Sequence, residues 1–130
     1  MQQKNHGGIK MTNQKTKNNT ILSDGNFADL AGGNNSILMG GTYARLTGGN
    51  DSILTGGVHS ILTGGNNCVI VGDYESTVKG KKGSLIVLIK RDINMHIVDY
   101  QIALIDGVKI KEDTLYTFGY EGPMEVKTEW

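Results

Sequence analysis

From Thr16 to Val87 the chain divides into nine octads without an insertion: TKNNTILS, DGNFADLA, GGNNSILM, GGTYARLT, GGNDSILT, GGVHSILT, GGNNCVIV, GDYESTVK and GKKGSLIV. A short period held over so many units restricts the fold to a stacked array, because one unit cannot bury its apolar face alone and must lean on its neighbours. Within the octad, the fifth position is always small: Thr20, Ala28, Ser36, Ala44, Ser52, Ser60, Cys68, Ser76 and Ser84. The seventh is always aliphatic: Leu22, Leu30, Leu38, Leu46, Leu54, Leu62, Ile70, Val78 and Ile86. Residues two apart lie on one face of a strand, so these two ranks are expected to point inward and positions six and eight outward.

Glycine fills the first position from Gly32 to Gly80 and the second from Gly25 to Gly65, and asparagine is frequent at the next two. Both residue types suit a tight corner, glycine by allowing positive φ and close backbone approach, asparagine by tolerating the left-handed region. Each octad is therefore a short strand and a turn. Eight residues enclose nothing, whereas two octads make a flattened coil of sixteen. The fourth position supports this doubling: Phe27, Tyr43 and His59 recur sixteen apart, with Asn19, Asn35, Asp51 and Asn67 between them. The expected fold is all-β: a parallel β-solenoid of about 4.5 coils at roughly 4.8 Å per coil. An open stack end invites edge pairing, so a small C-terminal β-rich cap is expected to close it.

The pattern changes beyond Ser84. Leu85–Ile89 is a continuous apolar run, Lys90-Arg91-Asp92 is a turn, and Ile97–Ile105 alternates as a strand does. Asp106-Gly107 is a strong tight-turn signal before Val108-Lys109-Ile110, and Thr114–Phe118 predicts a last short strand. The expected organisation is a flexible basic tail at 1–15, the solenoid at 16–87 and the cap at 88–130. The octads GGNNSILM, GGNDSILT and GGVHSILT resemble the repeat AGxxSxLT of bacterial ice-nucleation proteins, and GSLIVLIKRD…IVDYQIALIDGVKIKEDTLYTF is similar to that family's closing domain. Within it, Gly107-Val108-Lys109 and Tyr116 match the family's Gly-Ile-Lys…Tyr segment. The resemblance covers roughly residues 30–120 and implies a solenoid with its cap, in a short form without the N-terminal domain and most of the repeats. It does not imply ice nucleation, because the Thr-x-Thr of the family's active coils is replaced by Ile-Leu-Thr, Arg-Leu-Thr and Ile-Leu-Met.

Composition excludes several classes of chemistry. Formal net charge is zero, which favours neither nucleic acid nor an anionic membrane. Lys4, Lys10, Lys15 and Lys17 form a basic start, while residues 18–78 hold Arg45 against Asp24, Asp29, Asp51, Asp73 and Glu75. The single cysteine, Cys68, allows no intramolecular disulfide and stands where other octads have serine, alanine or threonine, so it is expected to be a small core residue. His6, His59 and His96 lack partners at metal-ligand spacing, and no calcium-repeat aspartate recurs. The Gly-Gly pairs precede no helix, so they make no phosphate loop. No catalytic, cofactor or metal residues are assigned, and the chain is expected to be non-enzymatic and cytoplasmic, with no membrane segment.

The informative anomaly is apolar residues where solvent is expected. Ile21, Ile37, Ile53, Val69 and Leu85 form an outward stripe, flanked by Met39, Thr55, Val71 and Val87. Either a second copy, the cap or another protein is expected to cover it. The candidate interaction residues are thus Ile21, Ile37, Met39, Ile53, Val69, Val71 and Leu85, with Phe27, Tyr43 and His59 as a surface ladder. The expected function is stoichiometric protein binding with homodimerisation. An inhibitor from a phage or mobile element, directed at a CRISPR nuclease or other host defence complex, is one such protein. Ice binding through Thr47, Thr55 and Thr63, and end-to-end structural stacking, are the alternatives.

Overall fold

The computed structural model describes residues 12–15 and 17–127, and the described residues contain no helix. Among the described residues thirteen strands form two sheets. Sheet A runs β1 (Thr12–Lys15), β3 (Ala28–Ala31), β5 (Arg45–Thr47), β7 (Ile61–Thr63), β9 (Thr77–Lys79), β12 (Tyr116–Thr117) and β13 (Met124–Glu125). Sheet B runs β2 (Ile21–Ser23), β4 (Ile37–Met39), β6 (Ile53–Gly56), β8 (Val69–Gly72), β10 (Leu85–Arg91) and β11 (Ile97–Leu104). Successive octads alternate between the sheets. Each pairs in parallel with the octad sixteen residues away, as in Leu38↔Leu54 and Leu46↔Leu62. The molecule is a β-solenoid of about four turns.

The two inward ranks are where the period of two places them. Leu30, Leu38, Leu46, Leu54, Leu62, Ile70, Val78 and Ile86 are wholly inaccessible to solvent. Burying each such side chain stabilises the fold by about 1.5–3 kcal/mol relative to exposure. Thr20 and Leu22, one octad from the start of the described stack, are only half-buried. Serine at position five has a second purpose. The hydroxyls of Ser52, Ser60, Ser76 and Ser84 each accept the N–H of the residue one coil earlier and donate to a glycine carbonyl nineteen residues back. Ser52 Oγ takes Ser36 N–H at 3.1 Å and gives to Gly33 O at 3.2 Å, and Ser84 Oγ takes Cys68 N–H at 2.9 Å and gives to Gly65 O at 2.8 Å. Cys68 stands in for a serine in this ladder, its Sγ 3.0 Å from Gly49 O.

The corners correct one expectation. Positive φ falls on the fourth position, not on the paired glycines: Asn19, Phe27, Asn35, Tyr43, Asp51, His59, Asn67 and Glu75 all lie at 56–61°. The glycines are needed for space. A Cβ on Gly33 or Gly49 would fall on the carboxamide oxygen of Asn18 or Asn34. Those oxygens are fixed because each accepts a backbone N–H of the next coil, Asn34 N to Asn18 Oδ1 at 2.7 Å and Asn50 N to Asn34 Oδ1 at 2.8 Å. The asparagine ladder therefore excludes a side chain at the glycine beside it.

The N-terminal end departs from the sequence reading. Residues 12–15, within the stretch expected as tail, form β1 in the solenoid's own register, Thr12↔Ala28 to Lys15↔Ala31. The rest of the expected tail lies outside the described residues. At the other end, β11 pairs antiparallel with β10, and β12 antiparallel with β9. Reversal of strand direction ends the parallel repeat. The tight turn at Asp106-Gly107 extends through Val108-Lys109-Ile110: Asp106 Oδ1 accepts the N–H groups of Val108, Lys109 and Ile110 at 2.9, 2.9 and 3.2 Å and curls the segment into a loop. These bonds, those from Val108 and Ile110 foremost, hold the Asp106 carboxyl below its usual pKa. Ile105, Leu115 and Tyr116 close the interior beneath the last coil.

Candidate interaction surface

The outer faces of the two sheets come from the same repeat yet differ in chemistry. Sheet A presents Asp29, Arg45 and Ile61 at position six and Ala31, Thr47, Thr63 and Lys79 at position eight. That face is mixed and polar, as a solvated face should be. Sheet B presents Ile21, Ile37, Ile53, Val69 and Leu85 in one in-register row and Ser23, Met39, Thr55, Val71 and Val87 in the next. Ile21 is 67% exposed, Ile53 43% and Met39 41%.

The cap does not fold over this surface. It lengthens it. Pairing of Leu85 with Leu104, Val87 with Ile102 and Ile89 with Tyr100 adds a sixth strand to each row. Directly opposed residues of an antiparallel pair share a face, so Leu104, Ile102 and Tyr100 join the aliphatic surface at 54–63% exposure. Six strands at about 4.8 Å spacing span about 24 Å. Sequence reasoning recognised the alternation of Ile97–Ile105 but not these three residues as part of the surface. Which alternate set faces outward depends on the pairing with β10, which no local signal sets.

The hairpin that carries β11 is held to the solenoid by Arg91. Its Nε and Nη2 donate to the two carboxylate oxygens of Asp73 at 2.7 and 2.8 Å, and its Nη1 to Met95 O at 2.7 Å. Asp73 takes the second octad position, glycine in the six preceding octads. The guanidinium hydrogen bonds hold the Asp73 carboxyl below the usual carboxylate range. On the inner side of the hairpin, Gln101 exchanges two hydrogen bonds with the backbone of Gly119, at 2.8 and 3.0 Å. The surface thus sits on a braced two-sheet scaffold.

Phe27, Tyr43 and His59 stack at one corner, with ring centroids 5.5 and 5.0 Å apart and planes within 12° of parallel. Glu75 continues the row, its carboxylate 3.3 Å from His59 Nε2. The ladder braces the corner where Phe27, Tyr43, His59 and Glu75, one in each of four successive coils, hold positive φ. Thr47 and Thr63 are neighbours in sheet A, whereas Thr55 lies in sheet B, so the three threonines expected of an ice-binding face share no face. Among the described residues no cluster of His, Cys, Asp and Glu could hold a metal, and no helix is long and apolar enough to cross a membrane. Comparison of the chain with known families, curated proteins and solved structures finds no match in any of the three.

Proposed function

We propose that this chain is a non-enzymatic interaction module that binds protein stoichiometrically through the outer face of sheet B. The observation that carries the reading is the contrast between two faces of one repeat: sheet A mixes Asp29, Arg45, Thr47, Thr63 and Lys79 with Ala31 and Ile61, while the rows Ile21–Leu104 and Ser23–Ile102 of sheet B are uncharged and apolar but for Ser23 and Thr55. A surface left to water has no reason to diverge from its twin in this direction, and contiguous apolar area on a rigid scaffold is characteristic of docking surfaces. The likeness of the octads to ice-nucleation repeats belongs to this proposal as a statement about architecture only. The split of Thr47 and Thr63 from Thr55 argues against an ice-ordering face.

Cysteine protection tests the reading. In a Cys68→Ser background, Ile53→Cys marks the apolar face and Thr47→Cys the polar one. In lysate of the source cell, maleimide should modify residue 53 several-fold more slowly than residue 47, and equally fast after denaturation. Equal rates in the native lysate would mean that nothing covers sheet B, and the proposal would be wrong.

A further inference from the structure

We infer that the occupant of the sheet B face is a second copy of this chain, packed sheet to sheet about a two-fold axis. The inference rests on the binding role proposed above and names its partner.

The cap strand β11 supplies an argument independent of the repeat. Its sequence is not octad-derived, so its pattern is not inherited from the coils. Its polarity is inverted for a strand at the end of a soluble sheet. Gln101 and Ala103 face the cap and core, the former bonded to Gly119 and the latter packed against the core. Tyr100, Ile102 and Leu104 face out. A strand whose apolar set points away from its own core is patterned for burial against something else. Its apolar residues fall in register with the coil rows, so cap and solenoid were shaped to one continuous surface.

Two further features favour a second copy over an unrelated protein. The two rows contain no charged residue, since Ile21, Ile37, Ile53, Val69, Leu85 and Leu104 are followed by Ser23, Met39, Thr55, Val71, Val87 and Ile102. The same patch therefore meets itself without like-charge opposition, as a two-fold interface requires. The rows also form a comb with one tooth per strand, about 4.8 Å apart. Only another sheet of the same spacing interdigitates with it along its whole length, at the roughly 10 Å separation of packed sheets. The footprint is about 24 Å by 14 Å, so self-pairing covers on the order of 700 Å² over both copies, below the roughly 1,200–2,000 Å² of stable specific interfaces and in keeping with a weak one. The pair should therefore dissociate on dilution.

Light scattering and sedimentation of the purified full chain decide the matter. The expected mass is twice the 14.0 kDa of one chain, falling to one chain on dilution. Ile37→Lys with Ile53→Lys in the coils, and separately Tyr100→Lys with Ile102→Lys in the cap strand, should each give one chain at every concentration, with the β-type circular dichroism of the parent. A parent chain that stays single overturns the inference whatever the variants do. If residue 53 is then open in the purified protein but protected in lysate, the binding role stands and the occupant is a different protein. If it is open in both, both readings fall. A dimer that survives both lysine pairs places the contact elsewhere and also overturns the inference.

Discussion

Ser36→Ala and Ser52→Ala are the same chemical change, one coil apart on the same corner, yet the structure assigns them different costs. Ser52 Oγ is the acceptor for the buried N–H of Ser36, at 3.1 Å. Its removal leaves that donor without a partner, at about 1–3 kcal/mol. Gly33 O, which also loses Ser52, keeps the N–H of Gly49 at 3.1 Å, so it adds little. Ser36 Oγ is itself buried with no hydrogen-bond partner among the described residues. The carbonyl it would reach in the ladder belongs to Lys17, which already accepts Thr20 Oγ1 at 2.8 Å and Gly33 N at 3.3 Å. Ser36→Ala deletes an unsatisfied hydroxyl from the interior, so it should be neutral or stabilise by up to about 1 kcal/mol. The gap between the variants is then about 2 kcal/mol, or roughly 6–10 °C in melting temperature for a chain of this size. Urea and thermal unfolding followed by circular dichroism would measure it. Equal losses for the two variants, or a larger loss for Ser36→Ala, would refute the hydroxyl ladder as the reason for serine at position five.

Three other outcomes follow from the same geometry. Leu54→Ala opens a cavity at a wholly inaccessible site between two coils and should cost about 2–5 kcal/mol in urea unfolding. Gly49→Ala should destabilise measurably, because the new methyl meets the Asn34 side chain and backbone, whereas at Gly25 a Cβ meets nothing within 4 Å and alanine should be neutral or stabilise by about 0.5 kcal/mol. Asp73 has a folded pKa below its unfolded value of 3.8, so its contribution is present above that value and is lost as pH falls through the lower, folded one. In acid unfolding, Asp73→Asn should therefore flatten the fall in stability below about pH 4, and an unchanged slope would show that the Arg91 pair contributes nothing.

How much of this was legible in the sequence follows from how far each contact reaches. Inward ranks, the coil of two octads, the aromatic row and the outward aliphatic stripe all depend on neighbours eight or sixteen residues away, and the repeat states those relations many times over. The corner was half legible: Gly-Gly marks a turn, but that positive φ sits at Phe27, Tyr43 and Glu75 while the glycines make room for asparagine carboxamides appears only once successive coils are stacked. Cap contacts occur once each. Nothing periodic announces that Arg91 grips Asp73, that Asp106 curls Val108–Ile110 into a loop, or that Gln101 turns toward Gly119.

The amino-acid sequence alone determined a two-faced parallel coil with serine and leucine ranks inside, because a one-dimensional stack repeats a single local environment and its period must appear in the residues. The tertiary structure alone decided which alternate residues of Ile97–Leu104 look outward, and hence that the cap extends the apolar face rather than covering it. That choice is made by the antiparallel register of β11 on β10, a pairing between two unlike segments that each occur once.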